Sequence, residues 1–156
     1  MKECLQYHQL VRMVQIAMES HEGQYDIGGK PYFLHPCAVM LKVVDHYGYD
    51  YELMQIAMGH DLIEDTWIKE ANLHSAGFSE RVISGIVALS KRDDLSYEDY
   101  KKQVLDNEDA MRVKLMDIEH NSDLSRLPRE PNEKDLRRLE AYKKFAQEIS
   151  EKLRKE

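Results

Sequence analysis

The 156-residue chain is poor in cysteine, glycine, proline and tryptophan, and it has no surplus of positive charge. Its two cysteines, Cys4 and Cys37, stand far apart with no CxxC spacing and no third thiol. That pattern excludes a disulfide framework and a cysteine-rich zinc site, and leaves two reduced structural thiols. Seven Gly and four Pro are too few for a collagen-like or low-complexity chain. No apolar run approaches the ~18 residues of a membrane span. The opening MKECLQYHQLVRM is broken by charge and carries neither an apolar stretch nor a small-residue cleavage site. Together these absences lead us to expect a soluble, cytoplasmic protein without a membrane partner.

Charge narrows the function classes further. Lys and Arg number 22 against 29 Asp and Glu, a net of -7, and residues 1–90 hold 6 of the bases and 12 of the acids. Binding duplex nucleic acid by phosphate neutralisation needs a basic surplus that neither half has. A small anion bound through a metal stays open. With 42% hydrophobic and 33% charged residues, the chain can bury one core, and its length suits one domain spanning 1–156.

The dominant period is helical. Leu10, Val14, Ala17, Met18 and His21 form the stripe of a first helix that Gly28, Gly29, Pro31 and Pro36 follow. Val39, Val43 and Tyr47 mark a second helix that Gly48 ends, and Leu53, Ile56, Ala57, His60 and Glu64 a third. Ser79 caps a fourth with Val82, Ile83, Ile86, Val87 and Leu89. Ser96 with Asp99 opens another before Tyr100 and Val104, and Ala110, Val113, Asp117 and Asn121 mark one more. After Pro128 and Pro131, an amphipathic helix at about 132–155 carries Leu136, Leu139, Tyr142, Ala146, Ile149 and Leu153. Alternating β-branched runs and hairpin turn signals are absent. The expectation is an all-α, compact bundle of six to seven helices.

Polar residues that interrupt these stripes point to chemistry. In MGHDLIEDTW, His60 sits at a core position with Asp61, Glu64 and Asp65 beside it. On one helix the pairs His60/Glu64 and Asp61/Asp65 stack at i, i+4. Three crowded carboxylates need a counter-charge. A divalent cation supplies one, while a solvated acidic helix end is the plainer reading. Asp117 lies on the inner stripe with Asn121, where it either pairs with an arginine, caps a loop or ligates a metal. His35, between Leu34 and Pro36, is a core histidine or a ligand, and His21 reads as structural or as a second-layer partner. His8, His46, His74 and His120 lack comparable context.

His35, the doublet His60-Asp61 and the later Asp117 resemble the H…HD…D set of the HD superfamily of metal-dependent phosphohydrolases. More closely, residues from about 8 to 128 resemble the hydrolase domain of the RelA/SpoT alarmone enzymes and their small single-domain relatives. The matching words are HEGQ, GGKPYFLHP at 28–36, GHDLIEDT at 59–66, LSK at 89–91 and KLMDIEHN at 114–121. The resemblance implies an all-helical fold around one metal site, with Mn²⁺ held by His35, His60, Asp61 and Asp117. It implies that Glu64 and Asp65 position the attacking water and handle protons. Lys91 and Asn121 match substrate contacts, and Lys30 and Lys114 are further candidates for anion contacts. Where the family carries a basic pair after the GQ word, this chain has Asp26 and Ile27.

Two imidazoles and two carboxylates leave open positions on an octahedral ion and suit Mn, Fe, Co, Ni or Zn better than Ca. The implied reaction is direct hydrolysis of a phosphorylated nucleotide by a metal-activated water, with guanosine 3′,5′-bis(diphosphate) as substrate and pyrophosphate as product. The alternatives are a nucleotide phosphomonoesterase on the same site and a helical module that senses a nucleotide without turnover. A second copy of the chain stays open as a partner.

Overall fold

Short polar caps and glycine stops divide this chain into helices. In the computed structural model, which describes residues 2–155, α1 runs Lys2–Ser20 and α2 runs Leu34–Tyr47. Gly48 ends α2 with φ 77, a backbone conformation that side chains disfavour. Asp50 accepts from the backbone N–H groups of Glu52 and Leu53 and so caps α3, Tyr51–Gly59. Then follow α4 (Leu62–Asp65), α5 (Glu70–Ser75), α6 (Glu80–Leu89), α7 (Tyr97–Leu105) and α8 (Glu108–Asn121). A 3-10 turn at Leu124–Arg126 precedes α9, Glu133–Leu153. Ser79, Ser96, Asn107 and Asn132 cap α6, α7, α8 and α9 through their side chains. Among the described residues the only β-pairing is an isolated bridge between Tyr25 and Pro31, so the fold is all-α as expected.

The described residues form nine α-helices rather than six or seven. The difference comes from α4 and α5, each too short to leave a periodic signal. The stretch that reads as one third helix is broken at His60-Asp61. At Asp61 the backbone (φ -101, ψ -1) departs from ideal helical angles, at the edge of the helical region. A continuous helix would turn successive side chains ~100° apart. The break lets the adjacent His60 and Asp61 converge, and Glu64 and Asp65 stand on the separate turn α4.

The core is centred on α3, whose residues Leu53 to Gly59 are all buried. A helix that is apolar all round belongs in the middle of a bundle, and α3 packs against α1, α2, α6 and α8. Leu10, Met13 and Ala17 from α1, Val39 and Val43 from α2 and Ile86 from α6 join the same core. Met13 takes the place in the α1 stripe that the sequence reading assigned to Met18, which is half exposed. Two reciprocal contacts set the α3/α6 distance. A Cβ on Gly59 would stand 2.6 Å from Ile86 Cδ1, and a Cβ on Gly85 2.6 Å from Ile56 Cδ1. The C-terminal helix docks through Phe145 and Ile149, while Leu136 near its start is exposed. No helix among the described residues is long and apolar enough to cross a membrane.

Candidate functional site

The elements around α3 bring four distant stretches to one place. His35 comes from the first turn of α2, His60 and Asp61 from the break between α3 and α4, and Asp117 from the last turn but one of α8. His35, His60 and Asp117 are buried to 4%, 3% and 5% exposure, and each offers a donor atom within 4.8 Å of the others. His35 Nε2 lies 3.2 Å from His60 Nε2 and 3.1 Å from Asp117 Oδ1. Asp61 Oδ2 stands 3.0 Å from His60 Nε2 and 3.5 Å from His35 Nε2. Donors roughly 2.1 Å from one ion sit about 3.0–3.4 Å from their neighbours in octahedral or tetrahedral shells. His35, His60 and Asp117 have the spacing and chemistry to share one divalent cation, and Asp61 stands beside the two imidazoles.

Surrounding groups aim the donors. His60 Nδ1 lies 2.7 Å from the Ala57 carbonyl, so that nitrogen carries the proton and Nε2 faces the cluster. The Tyr32 hydroxyl donates to Asp61 Oδ2 at 2.7 Å. Asp117 accepts from Lys114 Nζ at 2.8 Å and from Asn121 Nδ2 at 2.7 Å. Burial opposes ionisation of Asp117, yet Lys114 and the two imidazoles hold its carboxyl well below the usual range. Burial likewise opposes protonation of His60, but Asp61 and Asp117 overcome it and raise the imidazole well above its ordinary value. The cluster therefore attracts positive charge strongly, whether a proton or a metal supplies it.

A cavity of about 210 Å³ opens on this cluster and is shared by Glu64, Asp65, Lys91, Lys114 and Asn121. Glu64 Oε2 accepts from the Lys91 backbone N–H at 2.9 Å. Burial and the neighbouring carboxylates push the Glu64 and Asp65 carboxyls up. The structure thus brings His35, His60, Asp61, Glu64, Asp65, Lys91, Lys114, Asp117 and Asn121 together. Lys114 is engaged with Asp117, and Lys30 lies on the exposed 28–31 turn outside the cavity lining. His21 packs beside the Tyr32 ring at 5.1 Å and donates from Nδ1 to Gln24 Oε1 at 2.8 Å, a second-layer position.

Tyr32, Tyr142, Arg126 and His120 were not among the expected site residues. Tyr32, Tyr142 and Asn121 join the first cavity to a second of about 260 Å³, walled by Tyr25, Asp26, Arg126 and Arg138. His120, which lacked context in the sequence, places Nδ1 2.7 Å from His35 Nδ1. Burial and the adjacent Arg126 cation lower its pKa to about 4, so its ring is neutral. Its position three residues after Asp117, on the same helix face, is the one clue the sequence holds.

No family model matches the chain. In sequence it is 34% identical over 117 residues to a guanosine-3′,5′-bis(diphosphate) 3′-pyrophosphohydrolase of Haemophilus influenzae, covering 68% of this chain and 17% of that protein. A protein of the same description from Aquifex aeolicus is 31% identical over 120 residues, covering 74% of this chain and 17% of the relative. The bifunctional (p)ppGpp synthase/hydrolase SpoT of Escherichia coli is 34% identical over 92 residues, 59% of this chain and 13% of the relative. The chain thus spans about one sixth of the length of these curated relatives. In fold it is similar to a metazoan ortholog of SpoT that hydrolyses ppGpp, with a TM-score of 0.72, 21% identity, and coverage of 93% of this chain and 85% of that one. Through a common sequence core and a common helical architecture, the chain resembles the hydrolase domain of the RelA/SpoT-type alarmone enzymes.

Proposed function

We propose that the chain is a divalent-metal-dependent phosphohydrolase that removes the 3′-diphosphate of a guanosine 3′,5′-bis(diphosphate)-type nucleotide as pyrophosphate. The observation that carries this reading is the convergence of His35 Nε2, His60 Nε2, Asp61 Oδ2 and Asp117 Oδ1 beside a cavity that also holds Glu64 and Asp65. The names of the relatives supply the substrate class. His35, His60, Asp61 and Asp117 would hold the ion, with Mn²⁺ as our assignment. When bound, such an ion polarises a phosphoryl oxygen and makes water a better nucleophile near neutral pH.

The remaining chemistry belongs to side chains of this chain. Glu64 has one oxygen fixed by the Lys91 N–H, which leaves the other to orient a water and take its proton. Its raised pKa brings it closer to the useful range for that transfer. Water attacks the phosphorus on the 3′ oxygen, the bond between that phosphorus and the 3′ oxygen breaks, and a proton returns to the sugar oxygen. Asp65, on the same turn, holds the second proton-handling position. The exposed Lys91 ammonium offers a counter-charge for the diphosphate, and Asn121, at the junction of the two cavities, faces the sugar side. No side-chain nucleophile and no covalent intermediate are required.

The second cavity favours one other reading. Its wall carries the Asp26 carboxylate, 14% exposed and paired with Arg126 at 3.2 Å, a wall less suited to a highly charged nucleotide than a basic pair. A nucleotide phosphomonoesterase would release orthophosphate from the same site. The deciding experiment incubates metal-stripped protein with guanosine tetraphosphate, with and without Mn²⁺, and follows pyrophosphate, orthophosphate and GDP. Equal, Mn-dependent release of pyrophosphate and GDP is expected. Orthophosphate from nucleoside monophosphates, with tetraphosphate untouched, would establish the monoesterase. A ligand-induced rise in melting temperature with no product from any nucleotide would point to a sensing module.

A further inference from the structure

The outer nitrogen of His35 faces an unusual partner. Metal-ligating histidines mostly donate their second N–H to a carboxylate, carbonyl or water. Here the group opposite His35 Nδ1 is His120 Nδ1, 2.7 Å away. Two imidazole nitrogens at that distance need one proton between them, and the pair alone does not say which ring carries it.

A third group decides. Arg126 Nη1 lies 3.0 Å from His120 Nδ1 and 3.0 Å from the His120 carbonyl oxygen. A guanidinium has donors and no acceptor. A proton on His120 Nδ1 would therefore point at an N–H, so that nitrogen carries a lone pair and accepts. His35 Nδ1 must then be the donor, and Nε2, 3.1 Å from Asp117 Oδ1 and 3.2 Å from His60 Nε2, is the nitrogen left to face a cation shared with that carboxylate.

Arg126 is itself held. Its Nη2 donates to Asp26 Oδ2 at 3.2 Å, and Asp26 Oδ1 accepts from the Lys30 backbone N–H at 2.9 Å. Gly28 allows the 26–30 turn to approach, since a Cβ there would lie 2.9 Å from the Arg126 carbonyl oxygen. Asp26 thus has a role in this chain other than touching an anion: it anchors the arginine.

We infer that Asp26, Arg126 and His120 are positioning residues that fix His35 in the Nδ1–H tautomer and keep its Nε2 lone pair turned into the cluster. The inference rests on the ligand role proposed for His35. Removing the acceptor lets His35 exchange tautomers and swing, and loss of such outer partners typically lowers metal affinity about 10–100-fold.

The test uses the full chain. Long-range proton–nitrogen correlation spectra of the metal-free, ¹⁵N-labelled protein report the His35 tautomer, and calorimetric titration with Mn²⁺ reports affinity. We expect the Nδ1–H form in the wild type, and a mixture of tautomers with weaker Mn²⁺ binding in Arg126→Ala. His120→Ala should bind Mn²⁺ about 10–100-fold more weakly. His120→Asn, whose carbonyl oxygen can accept in place of Nδ1, should recover most of that loss. An Nε2–H tautomer in the wild type overturns the inference. So does unchanged Mn²⁺ affinity in His120→Ala, or an Asn variant that melts like wild type yet binds no better than the Ala variant. If the wild type binds no Mn²⁺ at all, the metal reading fails, and the spectra still decide whether this chain of contacts sets the tautomer.

Discussion

In the proposed reading four side chains hold the ion and two others, Glu64 and Asp65, handle protons, and single substitutions separate the two tasks. Asp61 touches both imidazoles and receives the Tyr32 hydroxyl, so Asp61→Ala should lose metal and activity together. Full metal occupancy in that variant, measured by elemental analysis, would remove Asp61 from the ligand set. Glu64 contacts the Lys91 backbone rather than the cluster. Glu64→Gln should therefore keep the metal and lose about 10²–10⁴-fold in turnover, the usual size of a general-base contribution. Undiminished turnover would move the proton to Asp65. The doublet His60-Asp61 and the inward Asp117 were legible as polar interruptions of apolar stripes. The contact between His35 and His120 was not, because 85 residues separate them and no local period links α2 to the end of α8.

At the scale of helices, the close approach of α3 and α6 is the most exposed to substitution. A methyl group on Gly85 would meet Ile56 Cδ1, Cγ1 and Cγ2 at 2.6, 3.0 and 3.1 Å. Rotation of Ile56 relieves one of these and not all three. Overpacking typically costs about 1–3 kcal/mol, against a gain of about 1 kcal/mol in helix propensity over glycine. Gly85→Ala should lower the midpoint of denaturant unfolding, and an unchanged or raised midpoint would show that Ile56 yields freely. Arg81 joins the same elements from outside, 2.7 Å from Asp50 at the cap of α3 and 2.7 Å from Asp109 in the first turn of α8. These groups are partly exposed, so Arg81→Ala should cost about 1–2 kcal/mol in the same assay. Capping residues and glycine stops made most helix ends readable in advance. The break at His60-Asp61 was hidden because apolar and polar residues keep a helical rhythm straight through it.

For the whole molecule, the cluster is a concentration of buried charge that folding must accommodate. An ion that binds the folded chain and not the unfolded one stabilises it by about 2.7 kcal/mol at a concentration 100 times its dissociation constant. For a chain of this size that corresponds to a rise of about 5–11 °C in melting temperature. Added Mn²⁺ should produce such a shift and a chelator should reverse it. The effect should vanish in Asp61→Ala. A shift of equal size in that variant would place the bound ion elsewhere on this acidic protein.

Composition and periodicity by themselves determined that the chain is helical, that it lacks the basic surplus a duplex requires, and that His60, with Asp61 beside it, and Asp117 interrupt apolar stripes. Those properties are written in residue type and in spacings of three and four, which a helix converts directly into a face. Tertiary structure alone decided that these residues meet within hydrogen-bonding distance, that α3 ends where the doublet begins, and that Asp26 grips Arg126. Such contacts join residues up to 100 positions apart. They depend on the packing of whole helices around α3, which local spacing does not encode.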